Sequence, residues 1–225
     1  MNLLAIETAS ETCSVALSIK GEVRERFKHA PRQHAELLLP WVEQLMAEAG
    51  IGFTALDAIA YSRGPGSFTS LRIGIGIVQG LAWASDRPVV PVSSLAATAQ
   101  SAAGNGVDVV LVAVDARMNE VFTGTFEKDS HGLMRPIAPE KVCRPEDVNA
   151  PGGSVAYGIG NGFERYAPLL ALSGQLREIR SGIWPQASSV LQLARAWLAT
   201  NEPLSAEQAQ PVYLRDNVAK KAKDR

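Results

Sequence analysis

The sequence predicts an α/β fold, and three observations predict it. Apolar runs of about four to eight residues alternate with longer stretches whose apolar residues recur at helical spacing. Gly, Pro, Asn and Asp punctuate the joins. One local pattern also occurs twice. Ala5-Ile-Glu7-Thr-Ala, then a turn, then a strand from Cys13 is echoed by Ala113-Val-Asp115-Ala-Arg117, a turn, and a strand from Val121. Each time an apolar strand ends in an acid and folds back as a hairpin. Common hairpin chemistry can repeat by coincidence. The alternative is two related subdomains facing each other across a cleft, each pointing a carboxylate into it.

The elements follow in order. Leu3 to Ile6 is a short apolar run ending at Glu7 and Thr8. Cys13 to Ile19 and Glu22 to Phe27 read as strands around a turn at Gly21, completing an antiparallel trio. His34 to Ala49 is an amphipathic helix, with Leu37, Leu38, Trp41, Leu45 and Met46 at helical spacing and Gly50 as its stop. Ala58 to Tyr61 is a strand leading into Gly64-Pro-Gly-Ser-Phe-Thr. Thr69 to Ser85 is a second helix, apolar nearly all round, followed by a strand at Val89 to Val92 and an Ala-rich helix at Ser93 to Ala103. Gly104-Asn-Gly106 is the candidate boundary, giving an N-terminal subdomain of residues 1–104 and a C-terminal subdomain of residues 105–225. In the second, Val109 to Val114, Val121 to Phe126 and Val155 to Ile159 read as strands and Ser188 to Thr200 as a helix. Residues 215–225 carry five basic and two acidic side chains and read as a frayed, solvated tail.

Composition narrows the function. Lys plus Arg total 22 against 23 for Asp plus Glu, so the chain lacks the strongly basic balance of a protein built mainly to grip phosphate backbones. Two cysteines, Cys13 and Cys143, make no disulfide framework and read as small buried hydrophobes in a reducing compartment. The amino end has no basic segment, and Thr69 to Ala84 is too short to span a bilayer. A cytoplasmic protein with no membrane contact is expected.

Hydrolytic chemistry finds few candidates. The three histidines, His29, His34 and His131, include no i, i+4 pair, so no zinc-binding helix face exists. His34 reads as a first-turn polar residue. No nucleophile elbow occurs. Gly64-Pro-Gly-Ser67 lies between a strand and a helix start, where Ser67 can cap the helix and its first amides can hold an anion; tight-turn chemistry alone also accounts for it. Arg117 and Glu120 read as a surface ion pair on the second hairpin, with a binding edge as the alternative. Gly76 and Gly80 lie four apart on the apolar helix, near Gly74 and Ala84, and let another backbone come close. A helix apolar all round needs cover on every side. The first helix can supply it, or a partner protein can.

Several strings together resemble one family. Leu4-Ala-Ile-Glu7-Thr8, Gly64-Pro-Gly-Ser-Phe-Thr-Ser-Leu-Arg72-Ile-Gly74, Val114-Asp115-Ala-Arg117-Met-Asn-Glu120-Val121 and Pro211-Val-Tyr-Leu-Arg215 are similar in order and spacing to the TsaB (YeaZ) family of bacterial tRNA threonylcarbamoyladenosine biosynthesis. The resemblance covers essentially the whole chain. It implies the actin-like ATPase fold shared by sugar kinases and Hsp70, with two related RNase H-like subdomains. It also implies a non-catalytic scaffold working with TsaD, the relative that transfers threonylcarbamoyl to N6 of adenosine 37 in tRNAs reading codons that begin with A. TsaD carries metal-binding histidines in a segment matched here by Val92-Ser-Ser94-Leu-Ala-Ala-Thr98, so hydroxyls of Ser94 and Thr98 stand where imidazoles would.

The resemblance further implies a heterodimer with TsaD, a homodimer when the chain is alone, association with the ATPase TsaE, a link to TsaC, and contact with tRNA only through the complex. The interface would use the two N-terminal helices, through Leu38, Trp41, Leu45, Thr69, Arg72, Ile73, Gly76, Ile77 and Gly80. A degenerate nucleotide cleft would place ATP or ADP against Glu7, Thr8, Asp115 and Arg117, or leave it at the junction with TsaD. The competing class is an enzyme of the same fold: an ATPase with Glu7 and Asp115 beside a metal ion, or a glycoprotease, for which no nucleophile–base pair or metal cluster is present.

Overall fold

The computed structural model describes residues 1–104, 106–152 and 156–215. Strands β1 (Leu3–Glu7), β2 (Thr12–Ile19) and β3 (Glu22–His29) form the antiparallel trio. Helix α1 (His34–Ala49) follows and stops at Gly50, which takes φ 65° and donates its N–H to Ala47. Then come β4 (Ala58–Gly64), α2 (Phe68–Ser85), β5 (Val89–Ser93) and α3 (Ser94–Ser101). The second half contains β6 (Val109–Asp115), β7 (Val121–Lys128), β8 (Met134–Pro136), β9 (Lys141–Cys143), β10 (Ala156–Ile159), α4 (Gly162–Arg165), α5 (Ala167–Leu170), β11 (Glu178–Arg180) and α6 (Ala187–Leu198).

The two sheets have one topology. The first runs β3-β2-β1-β4-β5, and the second β8-β7-β6-β10-β11, with β9 also paired to β7. In each, the first two strands are antiparallel, and the fourth and fifth in the order join the first in parallel. The repeated hairpin is therefore part of a repeated sheet, and the fold is α/β with two related halves.

Every residue of β1 is buried, because helices cover both faces of its sheet. Leu4 and Ile6 pack with α1 and α2, while Leu3 and Ala5 pack with α6. Helix α3 lies between the sheets. Its Leu95 and Ala99 join Val110, Val112 and Phe126 of the second sheet, and Ala97 joins the cluster on the first. The far face of the second sheet is covered by Phe163 and Leu169 of α4 and α5.

Helix α6 falls in the second subdomain of the sequence-based division, yet it packs on the first sheet. Its amino end explains why. It has no side-chain cap of its own. Ala187 N–H donates to Ser14 Oγ at 3.0 Å and Ser188 N–H to Glu25 Oε1 at 3.0 Å, with Ser14 bridging to the same carboxylate at 2.7 Å. The first sheet thus satisfies the helix's free amides and sets a negative charge at its positive end.

Two interface expectations are corrected. Leu38 and Leu45 are fully buried in the chain's own core, with Val42 and Met46, and cannot meet a partner. His34 is also buried, its Nε2 donating to the Thr12 carbonyl at 3.0 Å. Truncating Leu38→Ala should cost about 2–5 kcal/mol by leaving a cavity. Its exposed neighbour Leu39→Ala should stay within about 0.5 kcal/mol. Urea unfolding of the two variants checks which α1 residues belong to the core.

Candidate functional site

The carboxyl ends of β1, β4, β6 and β10 meet between the two halves. In each half a glycine loop after the fourth strand of the trio-plus-two pattern closes on the end of the first strand. Gly66 sits against the Ala9 carbonyl, and Gly160 and Gly162 against the Ala113 carbonyl, so closely that a Cβ at any of them would overlap it. Gly160 also takes φ 109°. Ser67 N–H donates to Ala9 O at 2.8 Å, and Asp115 N–H to Asn161 Oδ1 at 2.9 Å. The Gly64-Pro-Gly-Ser loop is thus consumed by packing, and Ser67 Oγ pairs with Ser70 Oγ instead of capping α2.

Glu7 is wholly buried. Its Oε1 accepts the Ala9 N–H at 2.5 Å, while Oε2 has no partner among the described residues. Burial pushes its pKa up to about 8, with the Ala9 amide pulling weakly the other way. Ser62 lies alongside on β4, since Ile6 pairs with Tyr61, and its Oγ is likewise unpartnered. Cys13 is buried too, and its thiol is pushed up to about 12, which makes it a poor nucleophile. Thr8 faces α2: its hydroxyl fills the space a Cβ at Gly74 would need. Thr8 is a packing residue against α2.

Asp115 is saturated by its own chain. Tyr166 OH and Arg117 N–H donate to Oδ1 at 2.7 and 2.9 Å; Arg117 and Arg165 reach Oδ2 at 3.1 and 3.4 Å. Arg117 also crosses to Glu11 of the first hairpin at 3.3 Å. Arg117 and Glu120 do not pair with one another; Glu120 pairs with Arg215. Residues Arg117, Met118 and Asn119 all take left-handed φ of 61°, 54° and 58°, a conformation costing roughly 1 kcal/mol or more for each non-glycine residue.

The fit to a nucleotide is poor. The cavity between Ala9, Pro65, Ser94, Asn161, Ile183 and Trp184 has room for about one water molecule. Among the described residues, no group of three His, Cys, Asp or Glu is placed to hold a metal ion. Glu7 and Asp115, the two acids expected beside a metal, are respectively buried under packing and held by two arginines. Ser94 and Thr98 donate their hydroxyls to the carbonyls of Pro65 and Ser94.

The remaining expected residues lie on the helices. Thr69, Arg72, Gly76 and Gly80 are exposed on α2, and Ile73, Ile77 and Trp41 are half-buried beside them. A Cβ at Gly76 or Gly80 would meet nothing within 4 Å, so none of the described residues covers that stripe. Sequence reasoning missed Glu11, Asn161, Arg165 and Trp184. Only Gly160-Asn161-Gly162 carried a signal, as the counterpart of Gly64-Pro65-Gly66 after the equivalent strand.

Residues 28–223 match the family model described as "TsaD: tRNA N6-adenosine threonylcarbamoyltransferase". The chain is 40% identical to the tRNA threonylcarbamoyladenosine biosynthesis protein TsaB of Escherichia coli K12, covering 97% of this chain and 96% of the relative. The chain belongs to the TsaB family. A TsaB of Haemophilus influenzae is 36% identical, with 97% and 95% covered. The solved structure "YeaZ from Pseudomonas aeruginosa" superposes with a TM-score of 0.86 at 42% identity, covering 95% of this chain and 99% of that one. No helix among the described residues is long and apolar enough to cross a membrane. The tail expected to fray lies outside the described residues, except that Arg215 is docked on the second hairpin.

One titration within this TsaB-family cleft is open to test. Because folding raises the Glu7 pKa from 4.5 to about 8, the native state holds that proton more tightly than the unfolded chain. Stability should be greatest below about pH 4.5 on this account and fall as pH rises towards 8. Glu7→Gln should flatten that slope, checked by denaturant unfolding near pH 5 and near pH 8.

Proposed function

We propose that this TsaB-family chain is a non-catalytic subunit in the threonylcarbamoylation of tRNA adenosine, joined to a TsaD-type transferase through the outer face of α2 and the adjoining edge of α1. The uncovered stripe of Thr69, Ile73, Gly76, Ile77 and Gly80 carries the proposal. Small residues there permit close approach of a second helix, and the flanking isoleucines supply apolar area. The interface residues Leu38 and Leu45 drop out, and Trp41, with exposed Leu39, represents α1.

The groups that would make or break bonds support the non-catalytic reading. The hydroxyls of Ser94 and Thr98 are spent on backbone carbonyls. The Asp115 carboxylate is held by Arg117 and Arg165, and Glu7 is sealed from solvent. What remains open is a surface. Self-association through the same stripe follows when the transferase is absent, since a like helix meets the same small-residue groove. TsaE and tRNA would be met by the assembly.

Replacing Gly76 and Gly80 together by Leu should weaken binding to the transferase at least a hundredfold. The unfolding midpoint of the monomer should not fall, because a Cβ at either position meets nothing among the described residues and leucine favours a helix over glycine. Sedimentation of the chain alone at tens of micromolar should show a dimer that the same pair of substitutions dissociates. Undiminished binding by the double variant, or threonylcarbamoyl transfer by the purified chain alone, would overturn the proposal.

A further inference from the structure

Two strings of the sequence, Val114-Asp115-Ala-Arg117-Met-Asn-Glu120-Val121 and Pro211-Val-Tyr-Leu-Arg215, meet in the structure. The first turns the hairpin between β6 and β7. Arg117, Met118 and Asn119 are successive left-handed residues there, and none of them is glycine. The equivalent turn of the first hairpin, residues 8–11, contains no positive φ. Side-chain packing does not hold the second turn in place. The Arg117 side chain is 63% exposed and Met118 62%, and Asn119 is exposed as well. Two backbone bonds cross the turn, from Ala116 N–H to Glu120 O at 2.9 Å and from Glu120 N–H to Arg117 O at 3.0 Å.

Arg215 supplies the remaining hold. Its Nη2 donates to Ala116 O at 3.1 Å and to Arg117 O at 3.5 Å and pairs with Glu120, while Nη1 lies 3.5 Å from Met118 Sδ. One cation thus meets acceptors at both ends of the turn. Its side chain is only 17% exposed, so water and salt screen the pair with Glu120 less than an open surface pair. A strap delivers it there. After α6 the chain returns along the first sheet, where Leu204 bridges to Val89 and the buried Ala209 accepts from Gln79 of α2 at 2.9 Å. Gln210 N–H donates to Tyr61 OH at 3.2 Å, and Val212 N–H to Arg63 O at 2.7 Å. Tyr213 OH accepts from Arg72 Nε of α2 at 2.9 Å. The chain is therefore fixed to within two residues of Arg215, and holding the turn orders little further backbone.

We infer that Arg215 is a conformational latch: anchored through the strap to the first half, it holds the 116–120 turn of the second half in its left-handed state and, through Arg117, keeps that edge of the cleft closed. In the released state residues 117–119 relax to negative φ, which costs non-glycine residues less. Arg117 then withdraws from Asp115 and from Glu11, and the two hairpins lose the ion pair that joins them. The contacts of one guanidinium are set against the strain of three residues. That balance makes the turn a two-state element whose state is decided from the far end of the chain.

Amide hydrogen exchange of the full-length chain, read by NMR, tests this. The Ala116, Arg117 and Glu120 amides are all hydrogen-bonded in the latched state, Arg117 to Asp115. Arg215→Ala should speed their exchange about tenfold or more and leave residues 110–113 and 123–126 of β6 and β7 unchanged. Adding Met118→Gly to that variant should slow the three amides again by about threefold, because glycine takes the left-handed conformation without the steric cost. If all three stay within about twofold of the parent after Arg215→Ala, the turn holds itself and the inference falls. Equal acceleration along β6 and β7 also overturns it, because Arg215 would then stabilise the whole second sheet. If Met118→Gly restores no protection, strain is not what Arg215 opposes, and the latch is again overturned.

Discussion

Strand β1 has no exposed residue between Leu3 and Glu7, and that two-sided burial constrains everything around it. A strand buried on both faces needs helices above and below. On one face α1 and α2 supply them; on the other, α3 and α6 do. The demand is strong enough to draw α6 back from the far end of the chain, and the Ser14–Glu25 pair on the first sheet caps it on arrival. Once β1 is covered, the inner stripe of α2 is satisfied. Its outer stripe has no further sheet to cover, which is why the same helix is both core and surface.

The cleft between the halves shows the other side of the same economy. The fold brings two carboxylates and two glycine loops to the junction of the two sheets. Here most of the polar groups are engaged with the chain, Glu7 Oε2 and Ser62 Oγ excepted. Asp115 receives Arg117, Arg165 and Tyr166. Arg117 spans to Glu11 and joins the two hairpins directly. Glu7 is buried so deeply that its carboxyl favours the neutral form near physiological pH. The glycines allow carbonyl and loop to approach, and that approach fills the space. The hydroxyls of Ser94 and Thr98 are likewise spent on backbone carbonyls.

Much of this was legible from residue order. Periodicity located α1, α2 and the long strands, because each has enough residues to show a period. The repeated acid-ended hairpin correctly announced two related sheets. Strands β8, β9 and β11 were not legible, since three residues cannot display alternation. Leu38 and Leu45 were misplaced for a related reason. Helix α1 has apolar residues over a wide arc, and composition does not say which edge of that arc meets the sheet.

The glycines of α2 draw the line most clearly. That Gly74, Gly76 and Gly80 would bring another backbone or side chain close was evident from their size. Residues two apart on a helix point in nearly opposite directions, about 200° apart, so Gly74 could not share a face with Gly76. Which face turned inward depended on where Thr8 lay, and Thr8 is set by a strand remote in sequence. The sequence by itself determined the longer elements, their order and the pairing of acids with hairpins, because these depend on local periodicity. Only the tertiary structure decided which apolar faces were consumed, which carboxylates were neutralised, and where α6 and the Tyr213 strap would lie. Those outcomes depend on contacts between segments that no local pattern connects.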